Sequence, residues 1–303
     1  MGMEFVSLSL VPILIGICVS IACALPGNFL LLRGQALIGD AISHVVLPGI
    51  VLAFVLTGVI QSTTMLTGAA VAAVVSMAAI EGIRRMGRIE PGAAMGVVFT
   101  AMFAAGVLML EQSDTSGVHL DVEHALYGNL EGLIWLDAFG WESLIDPVAL
   151  AGLPVELPRM FSVLLIVAAF VAVSWRPLAM MSFDEGFART LGVRTGLLGM
   201  ALVILSAVAA VAAFDAVGSI IVIAMFICPP ATARLLTNRL GGQVAWSALI
   251  AAVSAIMGYV LAGYGPLWLG FDASVSAAGM IATVSGLLLA VAAMFGPHRR
   301  RVL

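Results

Sequence analysis

Long apolar stretches, broken at short intervals by arginine, glycine and proline, set the pattern of this chain. Nine of them follow one another at about 6–32, 36–60, 64–83, 91–111, 160–179, 196–214, 217–237, 243–263 and 274–296. Each approaches the roughly 20 apolar residues that a helix needs to cross about 30 Å of hydrocarbon. The pattern predicts an all-α polytopic membrane protein of about nine transmembrane helices, with residues 1–303 forming a single transmembrane domain. The polar-tinged intervals are an external segment at 112–158 and a shorter one at 181–195. Neither is long enough for an ordinary independent core.

Charge fixes the expected orientation. All basic residues are arginines, and if Arg33 faces the cytoplasm, so do Arg84, Arg85, Arg88, Arg176, Arg189, Arg194, Arg234, Arg239, Arg299, Arg300 and Arg301. Only Arg159 falls on the other side, as the positive-inside rule demands of a correct topology. The expected protein is a multi-pass component of the cell (inner) membrane, with its N-terminus outside and its C-terminus in the cytoplasm. The external segment then holds His119, Asp121, Glu123 and His124, as well as Trp135 and Trp141, which are expected at headgroup level. The first apolar run lacks a basic n-region and reads as a retained span.

Composition, 62% hydrophobic and 10% charged, agrees with a bilayer protein and adds exclusions. There is no lysine, so no Walker-type loop of the form GxxxxGK[ST] exists to bind ATP. The chain is not expected to be an enzyme, to hold a permanent cofactor or to bind nucleic acid. Cys18 and Cys23 lie on different faces of one apolar helix and Cys228 lies in another, so no disulfide framework is implied.

An ionisable residue deep in a span is a functional candidate by default. Asp40 and His44, in the second span, are four residues apart and share one helical face. A rise of 1.5 Å per residue from Arg33 puts His44 about 16 Å up, near the midplane. A carboxylate and an imidazole can ligate one divalent ion, and two copies about a two-fold axis would supply two of each, a set that suits manganese, iron or zinc. A buried Asp–His hydrogen bond bracing the bundle is the competing structural reading. A carrier driven by an ion gradient, or an intramembrane enzyme, would also place such a pair at mid-depth.

Further features stand out. Between the fifth and sixth spans, Asp184 can cap a short polar helix and Gly192 can end it in a left-handed turn. In the seventh span, Pro229 and Pro230 remove two backbone donors and free carbonyls in the helix. Cys228 beside them reads as a core residue rather than a third ligand, and the 119–124 cluster as solvated surface. His298, beside the terminal arginines, reads as an inner-leaflet anchor.

The segment from Arg33 to Gly49, with its core Gly39-Asp40-Ala41-Ile42-Ser43-His44-Val45-Val46-Leu47-Pro48-Gly49, resembles the signature of the ABC-type manganese/zinc/iron permease family. Phe183 to Val193 is similar to that family's cytoplasmic coupling loop, and Val217 to Thr237 to its Pro-interrupted seventh span. The doublet Pro229-Pro230 stands where the family pattern has one proline followed by alanine. The resemblance implies a fold like that of vitamin B12-type importer permeases and metal ligation by Asp40 and His44. It implies that Asp184, Ala188 and Gly192 belong to a coupling helix on which separate ATPase subunits dock. A second permease chain, identical or a sister, and an extracytoplasmic metal-binding protein complete the implied assembly, whose transported substrate is Mn2+, Zn2+ or Fe2+. Val118 to Glu131 is similar to the branch that usually carries manganese or iron.

Overall fold

The computed structural model describes residues 5–58, 62–87, 89–112, 130–268, 270 and 275–298. The 119–124 cluster and Arg299 to Arg301 lie outside these residues. Among them, twelve α-helices form: α1 Val6–Leu32 (opening with a π-helical turn), α2 Ile38–Thr57, α3 Ser62–Gly87, α4 Pro91–Gln112, α5 Pro147–Ala151, α6 Glu156–Val173, α7 Trp175–Phe183, α8 Glu185–Thr190, α9 Thr195–Val217, α10 Ser219–Leu236, α11 Leu240–Trp268 and α12 Ala277–Phe295. Nine are long and apolar enough to span a membrane, and these are α1 to α4, α6 and α9 to α12.

The nine spans correspond one to one with the apolar runs, with boundary differences that have local causes. The fifth was expected over 160–179, yet α6 ends at Val173 and α7 begins after a break at Ser174. Pro177 has no N–H to offer the Val173 carbonyl, so one continuous helix is disfavoured there, whereas Pro is tolerated in the first turn of a new one. Trp135 takes part in packing that the apolar pattern did not show. Its side chain is buried within the protein. Its backbone N–H donates to the Ser7 carbonyl at 2.8 Å and its indole Nε1 donates to the Ala149 carbonyl at 2.8 Å. A buried indole needs such a partner, while the backbone bond to Ser7 ties the 112–158 segment to α1. Trp141 is exposed. Nearby, the Glu131 carboxylate accepts from the Ala277 N–H and so caps the start of α12.

Helix α1 is the central element, packed on α6, α9, α10 and α11. Helix α2 instead lies against α3 and α4, and α9 bridges the two groups. Small residues make the closest crossings. A Cβ added to Gly49 would fall 2.6 Å from the Gly68 carbonyl oxygen, so α2 and α3 meet backbone to backbone. Within the α1 group, buried Asn28 donates to Ser247 Oγ at 2.6 Å, a polar tie from α1 to α11.

Candidate metal site and coupling helix

The 33–37 turn is not helical: Gln35 N–H donates back to the Leu30 carbonyl at 2.8 Å, and α2 starts only at Ile38. The 16 Å rise inferred from Arg33 is therefore replaced by about 9 Å of helix from Ile38 to His44. Helix α2 nevertheless starts deep inside the bundle. A Cβ on Gly39 would meet the Phe226 ring at 2.9 Å, and Phe226 lies in the middle of α10.

Asp40, in the first turn of α2, and His44, one turn later, face each other with Asp40 Oδ1 3.7 Å from His44 Nε2. That is too long for a hydrogen bond. Two ligand atoms each about 2.1 Å from one ion stand roughly 3.0 to 3.6 Å apart for bond angles of about 90 to 120°, so small side-chain adjustments bring both onto one cation. The side chains are 35% and 41% exposed, enough to face an incoming ion or a second chain. Among the described residues no group of three or more His, Cys, Asp or Glu side chains could hold a metal ion. Cys228 does not join the pair.

Two aromatic rings from α4 hold the imidazole. Phe99 stacks on it with centroids 5.3 Å apart and planes at 18°, and Phe103 meets it edge-on at 5.5 Å and 83°. Phe99 and Phe103 are themselves four apart and share a face of α4, matching the spacing on α2. Nothing in the sequence pattern singled them out, because aromatic residues at helical spacing read as ordinary core.

Pro229 and Pro230 do not break the helix as expected: α10 runs unbroken from Ser219 to Leu236, because only the donors at these two positions are lost while the turns on either side keep theirs. Pro230 cannot donate to the Phe226 carbonyl, and that oxygen would lie 2.5 Å from a Cβ added to Gly27 on α1, with Pro230 Cγ 3.1 Å away. Phe226 thus presents its freed carbonyl to α1 and its ring to Gly39 on α2.

The 181–195 segment folds as its residues dictate. Asp184 caps α8 by accepting from the Phe187 N–H at 2.8 Å. At the other end Gly192 N–H donates to the Arg189 carbonyl at 3.0 Å and Val193 N–H to the Ala188 carbonyl at 3.1 Å, with Gly192 at φ +81°. This is a Schellman ending, whose left-handed residue glycine adopts without strain. Ala188 is fully buried, anchoring α8 in the core. On the exposed side, burial pushes the Glu185 carboxyl up, but hydrogen bonds from Arg189 and Thr195 and the charges of Arg189 and Arg33 outweigh it and hold the group below the usual carboxylate range.

Comparison with known proteins identifies relatives over most of the chain. The chain is 38% identical over 286 residues to the manganese transport system membrane protein MntD of Bacillus subtilis (strain 168), covering 93% of this chain and 90% of that protein. It is 36% identical over 288 residues to the zinc transport system membrane protein TroD of Treponema pallidum (strain Nichols), covering 94% and 73%. The solved structure of PsaBC from Streptococcus pneumoniae in complex with Fab superposes with a TM-score of 0.73 at 25% identity, covering 96% of this chain and 93% of that chain. The family model of the ABC 3 transport family matches residues 7–138 and 153–296. The chain belongs to the ABC 3 transport family.

Proposed function

We propose that this permease moves a divalent transition metal, manganese before zinc or iron, into the cytoplasm, with Asp40 and His44 as its ligands in the membrane. The observation that carries the reading is the 3.7 Å approach of Asp40 Oδ1 to His44 Nε2 on one face of α2, open on one side and without the hydrogen bond that a structural brace would make. A carboxylate and an imidazole supply one hard and one borderline ligand, which suits these metals. One chain contributes half a coordination shell, so a second permease chain, identical or a sister, completes it. With no lysine in the chain, ATP is hydrolysed on separate cytoplasmic subunits that dock at α8, and an extracytoplasmic binding protein delivers the ion to the opposite face. The N-terminus lies outside and the C-terminus in the cytoplasm. A likeness to manganese proteins puts manganese first, and the similarity to TroD keeps zinc open.

The test is uptake of radiolabelled Mn2+ by proteoliposomes holding the permease with its ATPase. Accumulation that requires ATP and survives collapse of proton and sodium gradients supports the reading. Accumulation without ATP, driven by a gradient, would transfer the protein to the class of secondary carriers, against which its family membership weighs.

A further inference from the structure

Arg33 has the position of an ordinary interfacial arginine, directly after the last residue of α1, and such side chains usually extend into water. This one does not. Its side chain is 10% exposed, and its Nη1 is buried with no hydrogen-bond partner. The guanidinium is pressed onto α9, where a Cβ on Gly199 would fall 2.8 Å from Nη1 and 3.0 Å from Nη2. A buried cation so placed is costly unless something specific holds it.

What holds it comes from the coupling helix. Glu185 offers Oε1 to Arg189 at 2.6 Å and Oε2 to Arg33 Nη2 at 4.0 Å, so one carboxylate joins α8 to the end of α1. Arg189 in turn donates from Nε to Thr195 Oγ1 at 3.0 Å, locking α8 to the start of α9. The remaining charges facing Arg33 come from α3, where Arg84 and Glu81 pair with each other at 3.0 Å. Directly after Arg33 comes Gly34 at φ +67°, six residues before Asp40, then the turn that opens α2. A cavity of about 500 Å³ adjoins the link, lined by Arg33, Glu81, Arg84, Glu185 and Arg189 among others, and leaves room for the link to move.

We infer that Arg33 is a positioning residue that transmits displacement of α8 to the α1–α2 turn, and through it to Asp40 and His44. A push on α8 displaces the Glu185 carboxylate, the buried guanidinium follows its counter-charge, and the glycine hinge lets α2 respond without unwinding α1. The inference rests on the proposed metal permease function.

The assay uses the full complex of permease and ATPase, with three readouts: basal ATP hydrolysis, its stimulation by Mn2+, and Mn2+ retained per purified complex. In Arg33→Gln the stimulated component is lost while basal hydrolysis and retained Mn2+ match the wild type. Gly199→Val, which keeps every charge but displaces the guanidinium, gives the same loss. Stimulation that survives Arg33→Gln overturns the inference, and so does loss of retained Mn2+ along with stimulation, which would give Arg33 to the ion site. If Arg33→Gln does not assemble, Gly199→Val decides on the same criteria, and failure of both to assemble overturns the inference by reducing the contact to packing. A wrong metal assignment looks different, since the wild type itself would then neither retain Mn2+ nor respond to it.

Discussion

His44 and Phe99 stack face to face, ring centroids 5.3 Å apart and planes at 18°, across the contact between α2 and α4. The stack fixes the tilt of the imidazole and so the direction in which Nε2 faces, a role that outer partners of a metal-ligating histidine commonly fill. Phe99→Leu keeps an apolar residue but removes the flat surface. Mn2+ uptake in this variant is expected to fall roughly 10-fold with normal complex yield, whereas Phe99→Tyr retains most of it. Unchanged uptake in Phe99→Leu would make the stack incidental.

Orientation is open to a direct chemical test. Ile145, Met86 and Phe187 are all exposed at the surface of the bundle. A cysteine at 145 is expected to react with an impermeant thiol reagent added outside intact cells, and cysteines at 86 and 187 only after permeabilisation. The three native cysteines are buried or half-buried, which keeps background labelling low. The reverse pattern would invert the topology and move α8 away from any cytoplasmic ATPase.

At the end of α8 the expectation concerns coupling. Gly192 stands at φ +81° with nothing within 4 Å of where a Cβ would lie, so a side chain there meets strain in the backbone and no clash. Gly192→Val costs about 1–2 kcal/mol locally, enough to open the Schellman ending while the spans stay intact. Inserted permease is expected at wild-type levels, with Mn2+-stimulated ATP hydrolysis reduced several-fold. Wild-type stimulation in Gly192→Val would remove any special role for this turn.

Much of this architecture was legible in the sequence because its causes are local. Apolar length marked the nine spans, Asp184 and Gly192 declared the two ends of α8, and the four-residue spacing put Asp40 and His44 on one face. What escaped depends on partners far away in the chain. The packing of Trp135 rests on the Ala149 carbonyl, which its indole reaches, and on the Ser7 carbonyl, which its backbone N–H reaches. Arg33 read as one more topological marker until Gly199 and Glu185 closed around it. The helical rise counted from Arg33 to His44 does not apply, because that stretch is not one helix. The chain turns at 33–37 before α2 begins, and it is Phe226 against Gly39 that places this helix start well inside the bundle.

The decisive variants are at the pair itself. Asp40→Ala and His44→Ala are each expected to abolish Mn2+ uptake while leaving insertion and assembly with the ATPase near wild type. Where both permease chains are the same, one substitution removes two ligands from the shell, and a dehydrated divalent ion is left with too few donors to offset its lost water. Asp40→Asn is expected to fail as well, because it keeps the shape but discards the negative charge, and a unit charge at 4 Å is worth about 4 kcal/mol at an effective dielectric constant near 20. A bracing role predicts the opposite for this last variant: asparagine still accepts a hydrogen bond, so stability and transport would both return. The starting distance of 3.7 Å already leaves such a brace without its bond. Uptake of labelled Mn2+ measured beside the yield of assembled complex separates the two accounts, and full transport in either alanine variant would sink the site.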